Sequence, residues 1–377
     1  MKQKICFVVS SHMTINAFLR QPIERLSEYY DIYVALDINE GDNLRGLESF
    51  ITVIPVGIKR KISLWRDLIA LWQLIRLFNQ YDFNIVHSVT PKAGLLAMLA
   101  ALITGVNVRI HTFTGQVWAT KTGLARMILK GFDKLIVSFS THILVDSPSQ
   151  RQFLLNEGVV RSEKSNVLLK GSISGVDLSK FKINDSARAR IREACSISDN
   201  DVVFLFIGRL NRDKGILDLA VAFANVARKH KNARLLIVGV DEENLLVEIR
   251  GIISGIEKQV NFVDFTPVPE EYMAASDVLC LPSYREGFGN VIVEAAAVGI
   301  PTIGSRIYGI NDAVVDGETG LLFDARNIAA IELCLENTLI NKQLRIDLGV
   351  AAHKRVCEYF SSQKLSEAWL RYYQELS

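Results

Sequence analysis

Three features of the chain predict an α/β protein with two doubly wound, Rossmann-like parallel sheets. Short apolar runs such as KICFVVS (4–10) and VVFLFIG (202–208) recur along its length. A strand covered on both faces needs such unbroken apolar character. Segments with helical spacing separate the runs, and strands alternating with helices imply parallel pairing through crossovers. Finally, 377 residues exceed what one hydrophobic core usually supports, so the alternation is divided between two domains.

In the amino-terminal half, strands are predicted near 4–10, 32–36, 51–55, 84–88, 107–112 and 142–146, with helices over 15–29, 63–79, 92–104, 122–139 and 148–157. The run AGLLAMLAALITGV (93–106) has 14 residues, too short to cross a bilayer, and fits a buried helix. A polar, charge-mixed stretch (171–200) reads as the interdomain connection with a short helix. The second half repeats the alternation. Its strands fall near 202–207, 234–238, 260–263, 278–281, 301–303 and 321–323, and its helices near 215–230, 242–254, 270–276, 290–298 and 327–339. Two further helical patterns, 341–356 and 361–376, close the chain. The expected domains are 1–173, joined by 361–377, and 174–360. No sequence repeat accompanies this duplicated architecture.

Composition narrows the function. Hydrophobic residues make up 49% and charged residues 22%, a globular balance. Five cysteines, Cys6, Cys195, Cys280, Cys334 and Cys357, are scattered without a CxxC or Cys/His cluster, which argues against a disulfide framework or zinc site. The chain enters a strand without a signal-peptide pattern, so a cytoplasmic setting is expected.

Residues 1–170 hold 20 Lys and Arg against 13 Asp and Glu, net +7; the totals of 43 and 41 leave 23 against 28, net −5, for residues 171–377. A basic half suggests an anionic partner. Two basic, apolar segments, IKRKISLWRDLIALWQLIRLF (58–78) and QVWATKTGLARMILKGF (116–132), can be written as helices with a cationic rim, and Trp65, Trp72 and Trp118 suit a headgroup layer. Either helix alone could simply pack on its sheet. Together they predict peripheral contact with the inner face of the cell membrane. Nothing resembles a nucleic-acid-binding motif, so nucleic acid is not an expected partner.

The chemistry concentrates in YREGFGNVIVEAAA (284–297). Glu286 is expected at a strand end, a Gly-Phe-Gly turn follows, and a helix starting near Asn290 carries Glu294 one turn in. Free N–H groups at such a helix start attract phosphate, and Glu294 can hydrogen-bond a ribose beyond it. The competing readings are two solvated acids, or a hydrolase pair flanking one bond. Upstream, strand 202–208 empties onto Arg209 and Lys214, two cations at the carboxyl edge where α/β sheets bind ligands. Asp199-Asn200-Asp201 spells a metal-binding D-x-D pattern but precedes its strand, the wrong end for a ligand.

The chain resembles glycosyltransferase family 4, retaining nucleotide-sugar transferases of GT-B architecture. The matching segments are GRLNRDKG (208–215), SYREGFGNVIVEAAAVGIPTIGS (283–305), VDGETGLLF (315–323), NIVHSVTPKAGLLAMLAA (84–101) and IHTFTG (110–115). The resemblance implies two Rossmann-like domains facing a cleft, with the last helix crossing back to the first. It implies a catalytic set of Glu286, His111, Arg209 and Lys214. The donor would be held by Gly208, Arg209, Lys214, the backbone of Gly287, Phe288, Gly289, Asn290 and Val291, and Glu294 at the ribose. The donor is a substrate, so no cofactor and no obligatory metal are expected. One departure is the loop after the first strand, Ser11-His12-Met13-Thr14, which lacks the Gly-Gly pair of many members.

The expected function is transfer of a sugar from a nucleotide diphosphate, a UDP-sugar, to an acceptor hydroxyl. The acceptor is expected to be a polyprenyl-diphosphate-linked glycan of a capsule, O-antigen or exopolysaccharide. A UDP-sugar 2-epimerase of the same architecture and a non-catalytic nucleotide-sugar or membrane-binding subunit are the alternatives.

Overall fold

The computed structural model describes residues 2–38, 43–44, 46–59 and 63–376. Arg60 and Lys61 of the basic run lie outside the described residues. The chain divides into two compact units, residues 1–175 with 362–377, and residues 176–361.

The first unit runs β1 (Lys4–Val8), α1 (His12–Thr14), a π-helical turn over Ile15–Leu19, α2 (Arg20–Ser27), β2 (Asp31–Leu36), β3 (Thr52–Pro55), α3 (Leu64–Tyr81), β4 (Ile85–Val89), α4 (Pro91–Ile103), β5 (Val108–Phe113), α5 (Gly123–Phe139), β6 (His142–Val145), α6 (Pro148–Asn156) and β7 (Ser165–Asn166). The second runs α7 (Asp185–Ala194), β8 (Val202–Ile207), α8 (Ile216–Lys229), β9 (Ala233–Val238), α9 (Leu246–Ile252), β10 (Val260–Val263), α10 (Pro269–Ala274), β11 (Val278–Leu281), α11 (Asn290–Ala297), β12 (Thr302–Ser305), α12 (Ile310–Ala313), β13 (Gly320–Phe323), α13 (Ile328–Ile340) and α14 (Lys342–Tyr359). Helix α15 (Ser362–Glu375) belongs to the first unit.

Both sheets are parallel, ordered β3-β2-β1-β4-β5-β6-β7 and β10-β9-β8-β11-β12-β13. The order reverses between β1 and β4, and between β8 and β11, so each sheet has a switch point where ligands characteristically bind. Alternate residues of one strand feed two cores. Ile5 and Phe7 of β1 pack with α2 and α15, while Cys6 and Val8 pack with α3 and α4. In β8, Phe204 and Phe206 meet α8, and Val203 and Leu205 meet α11 and α14. This two-sided burial explains why the strands read as continuous apolar runs.

The predicted helix 15–29 is present over 15–27, but its first part is a π-turn. Pro22 has no N–H to donate to the Phe18 carbonyl, and the ladder widens just before it. Residues 116–122 are not helical; α5 begins only at Gly123. Trp118 therefore does not reach a headgroup layer. It is 1% exposed, stacks on Phe153 and donates its indole N–H to Asp133 at 2.7 Å. The strand pair of β7 and the single turn of α12 are too short for a periodic signal.

Helix α15 is clipped to its unit by a buried polar link. His87 of β4 is hydrogen-bonded to the Tyr373 hydroxyl at 2.5 Å through Nδ1 and to Thr112 at 2.7 Å through Nε2. Burial holds the His87 pKa well below its ordinary value, with His111 adding to the effect. Trp369 donates to the Ile173 carbonyl at 2.8 Å. Tyr373→Phe leaves His87 Nδ1 buried without that partner and is expected to cost about 1–3 kcal/mol, measurable by urea denaturation. Among the described residues, no helix is long and apolar enough to cross a membrane.

Candidate active site

The predicted donor residues collect in the second unit, where β8 and β11 neighbour each other and their loops leave the carboxyl edge of the sheet. After β8, Asn211 accepts a hydrogen bond from the Lys214 amide at 3.1 Å and caps a tight turn over Arg212–Lys214. Gly215 then adopts φ +67° and starts α8. A Cβ here would lie 2.0 Å from the Pro282 carbonyl oxygen. Only glycine lets this turn touch the loop after β11. The Tyr284 amide bonds the Asp213 carbonyl at 2.8 Å, the Tyr284 hydroxyl donates to Asp218 at 2.6 Å, and Arg285 pairs with Asp213 at 3.0 Å.

This stitching brings Lys214 to Glu286. Lys214 Nζ donates to Glu286 Oε1 at 2.5 Å, and Ser283 Oγ donates to the same oxygen at 2.8 Å. Glu286 does not end its strand as predicted. β11 stops at Leu281, and the carboxylate is carried out on the loop. Arg209 is also differently placed: it is exposed and held by Glu242, 2.7 Å and 3.0 Å from the two carboxylate oxygens. Asn211 donates to Glu242 at 2.8 Å.

The Gly287–Gly289 turn precedes α11. Among the described residues, the N–H groups of Gly287, Phe288 and Gly289 reach no protein acceptor, and the Ile292 amide bonds the Gly289 carbonyl at 2.8 Å. Phe288 is buried against Phe360, ring centroids 5.2 Å apart, so it can offer a ligand its backbone alone. Gly309 backs the turn, since a Cβ there would lie 2.5 Å from the Gly287 carbonyl oxygen. Gly208, at the end of β8, and Asn290 and Val291, opening α11, border the same edge.

Glu294 is carried one turn into α11. Its carboxyl lies in a desolvated setting, and burial pushes its pKa up to about 7; Lys180 opposes the rise and Glu270 adds to it. Lys180 and Glu270 pair at 3.3 Å.

His111 lies in the first unit, fully buried in β5. Its Nδ1 is hydrogen-bonded to Ser88 at 2.8 Å, its ring meets Phe113 edge-on at 4.6 Å, and its Nε2 has no hydrogen-bond partner. Burial lowers its pKa to about 3, so the imidazole is neutral. Asp201 of the D-x-D pattern pairs with Arg234 at 2.9 Å and accepts the Ser198 amide, at the amino end of β8.

Sequence reasoning missed Glu242, Ser283, Asn211 and Gly309. The signal for Glu242 was available, because Asp241-Glu242-Glu243 follows β9, the strand beside β8. Thr90 was also missed. It is a β-branched residue at φ +79°, hydrogen-bonded to Ser10 at 3.3 Å, at the β1/β4 switch point. Such strain is characteristic of functional loops.

A cation on a carboxylate beside three unpaired amides has the chemistry to hold a diphosphate with an attached hydroxylated group. The family described as Glycosyl transferases group 1 matches residues 187–355, and the Glycosyl transferase 4-like domain matches residues 36–168. The capsular polysaccharide biosynthesis glycosyltransferase CapM of Staphylococcus aureus is 32% identical, over 97% of this chain and 95% of its own. The chain belongs to the family 4 glycosyltransferases of GT-B architecture.

This glycosyltransferase is also 26% identical, over 76% of its chain and 74% of the relative, to an Escherichia coli UDP-Gal:α-D-GlcNAc-diphosphoundecaprenol α-1,3-galactosyltransferase. Its fold matches Anabaena HepE in complex with UDP and glucose, with a TM-score of 0.82, 18% identity, and 99% of each chain covered.

Proposed function

We propose that this glycosyltransferase moves a sugar from a UDP-sugar to a hydroxyl of a polyprenyl-diphosphate-linked glycan, with retention, during assembly of a surface polysaccharide. The observation that carries this reading is the Lys214–Glu286 pair beside the unpaired amides of Gly287–Gly289. The names of the capsular and undecaprenol-linked relatives support the acceptor class, and the UDP complex of a structural neighbour supports the donor.

The bond between the anomeric carbon and the β-phosphate oxygen breaks, and its electron pair moves onto the phosphate. The acceptor oxygen bonds the same face of that carbon, and its proton passes to the leaving phosphate. No metal is required in this scheme. Lys214, the turn amides and Arg209, once released from Glu242, stabilise the developing charge. Glu286 orients the sugar hydroxyls, with Ser283 and Lys214 fixing its carboxylate. The role kept for His111 is the one the resemblance implies, contact with the donor sugar, and its unpartnered Nε2 is the atom for it. The acceptor is assigned to the first unit, beside Ser10, Ser11 and Thr90, because a strained residue marks that switch point. A lipid-linked acceptor also calls for contact with the membrane surface.

Incubating the enzyme with radiolabelled UDP-sugars, with and without lipid extract, tests this function. Label is expected in the organic phase only when lipid is present. A new UDP-sugar formed without acceptor would instead indicate an epimerase.

Glu294 gives a pH signature. Its folded pKa of about 7 lies above the ordinary carboxyl value of about 4.3, so the native state takes up this proton more readily than the unfolded one. That contribution to stability is full at acid pH and lost as pH rises through 7. Ribose hydroxyls donate best to the ionised form. UDP-glucose, whose diphosphate does not titrate here, is therefore expected to bind up to about tenfold more tightly for each unit by which pH rises towards 7, and to level off above it. Calorimetry checks this, and Glu294→Gln is expected to flatten the profile.

A further inference from the structure

We propose that Glu242 competes with the donor diphosphate for Arg209, holding the guanidinium between turnovers and recapturing it as UDP leaves. This rests on the reading of Arg209 as a ligand of the donor phosphates. Three consecutive acids, Asp241-Glu242-Glu243, follow β9, and the structure gives each a different task. Asp241 caps α9, accepting the Leu245 and Leu246 amides at 2.8 Å and 3.0 Å. Glu243 accepts the Arg212 amide at 3.1 Å. Glu242 alone of the three meets Arg209. Its backbone is well fixed. The Glu242 amide bonds the Leu210 carbonyl at 3.1 Å, and the Leu210 amide bonds the Val240 carbonyl at 2.9 Å. The pairing of β8 with β9 thus continues into the loops beyond them. Gly239 permits this approach, since a Cβ there would lie 2.0 Å from the Gly208 carbonyl oxygen.

Asn211 ties this acid to the lysine turn. Its amide has one orientation open to it, because a carboxylate only accepts and a backbone N–H only donates. Nδ2 therefore faces Glu242 at 2.8 Å, and Oδ1 faces the Lys214 amide at 3.1 Å. The two contacts of Glu242 differ in strength. Asn211 is 7% exposed, so its hydrogen bond to the carboxylate is costly to lose. The Arg209 and Glu242 side chains are 57% and 41% exposed, and an ion pair this open to water contributes about 0–1 kcal/mol. A diphosphate carries more charge than one carboxylate and suits the planar guanidinium fork, so it takes Arg209 over. Glu242 then stays on Asn211 and keeps the Lys214 turn in place. When UDP departs, the carboxylate regains Arg209 and so favours release.

Calorimetry of UDP binding to four full-length proteins tests this: wild type, Glu242→Gln, Arg209→Gln and the double variant. Glutamine keeps an oxygen for Asn211 but lacks the charge that holds Arg209. Glu242→Gln is expected to bind UDP about three- to fivefold more tightly than wild type. In the Arg209→Gln background the same substitution is expected to change affinity less than about twofold. A purely structural role for Glu242 would give the opposite sign, since a loosened turn weakens binding. The proposal is overturned if Glu242→Gln binds UDP no more tightly than wild type. It is also overturned if the gain persists in full without Arg209, which would mean direct repulsion between carboxylate and diphosphate. Either result leaves the donor reading intact as long as wild type binds UDP. Failure of wild type to bind UDP would overturn that reading and this competition with it.

Discussion

Replacing Lys214 with alanine is expected to lower kcat about 100- to 1,000-fold while shifting Tm by only a few degrees. The charge it offers matters most when the sugar–phosphate bond is breaking, because negative charge then accumulates on the β-phosphate. Loss of such an interaction lowers kcat and kcat/KM together. In the resting protein Lys214 is bonded to Glu286, but Glu286 keeps Ser283 as a second donor and both partners retain some exposure. The variant therefore leaves no fully buried, unpaired charge, and its stability cost is about 1–2 kcal/mol. Steady-state kinetics with calorimetry on the same sample separates the two effects. A drop of only a few-fold in kcat would remove the charge-stabilising role.

Gly215→Ala is expected to damage stability and activity together. Its φ of +67° already disfavours a side chain, at about 1 kcal/mol. The new Cβ would also stand 2.0 Å from the Pro282 carbonyl oxygen, a backbone atom that cannot rotate away. Either the Arg212–Lys214 turn or the loop carrying Glu286 has to move. The expected cost is about 3 kcal/mol or more, with the Lys214–Glu286 hydrogen bond pulled apart. Gly317→Ala is the control. Gly317 has φ +76° with nothing within 4 Å of its Cβ position, so only the backbone cost of about 1 kcal/mol applies. Urea unfolding of the two variants is expected to show this difference. Equal losses would mean that the close approach of the two loops is not what holds the site.

Much of the fold was legible because strands buried on both faces advertise themselves as unbroken apolar runs; β8 and β11 were found in this way. The turn before α11 was legible because Gly287 and Gly289 sit just ahead of an apolar helical pattern. What escaped depended on partners distant in the chain. Arg209 appeared free in the sequence, but its partner Glu242 comes from the loop of the adjacent strand. Trp118 looked interfacial because its pairing with Asp133, deep in α5, is a tertiary fact. The π-turn before α2 could have been foreseen, since Pro22 sits inside the predicted helix. Thr90 could not, because its strain lies in the backbone rather than in residue type.

The most direct measurement is a crystal structure of the protein soaked with a UDP-sugar. The expected result is the β-phosphate within about 3 Å of Lys214 Nζ and of at least one amide from Gly287 to Gly289, with Glu294 on the ribose. A nucleotide bound elsewhere, with Lys214 still engaged only by Glu286, would contradict the account.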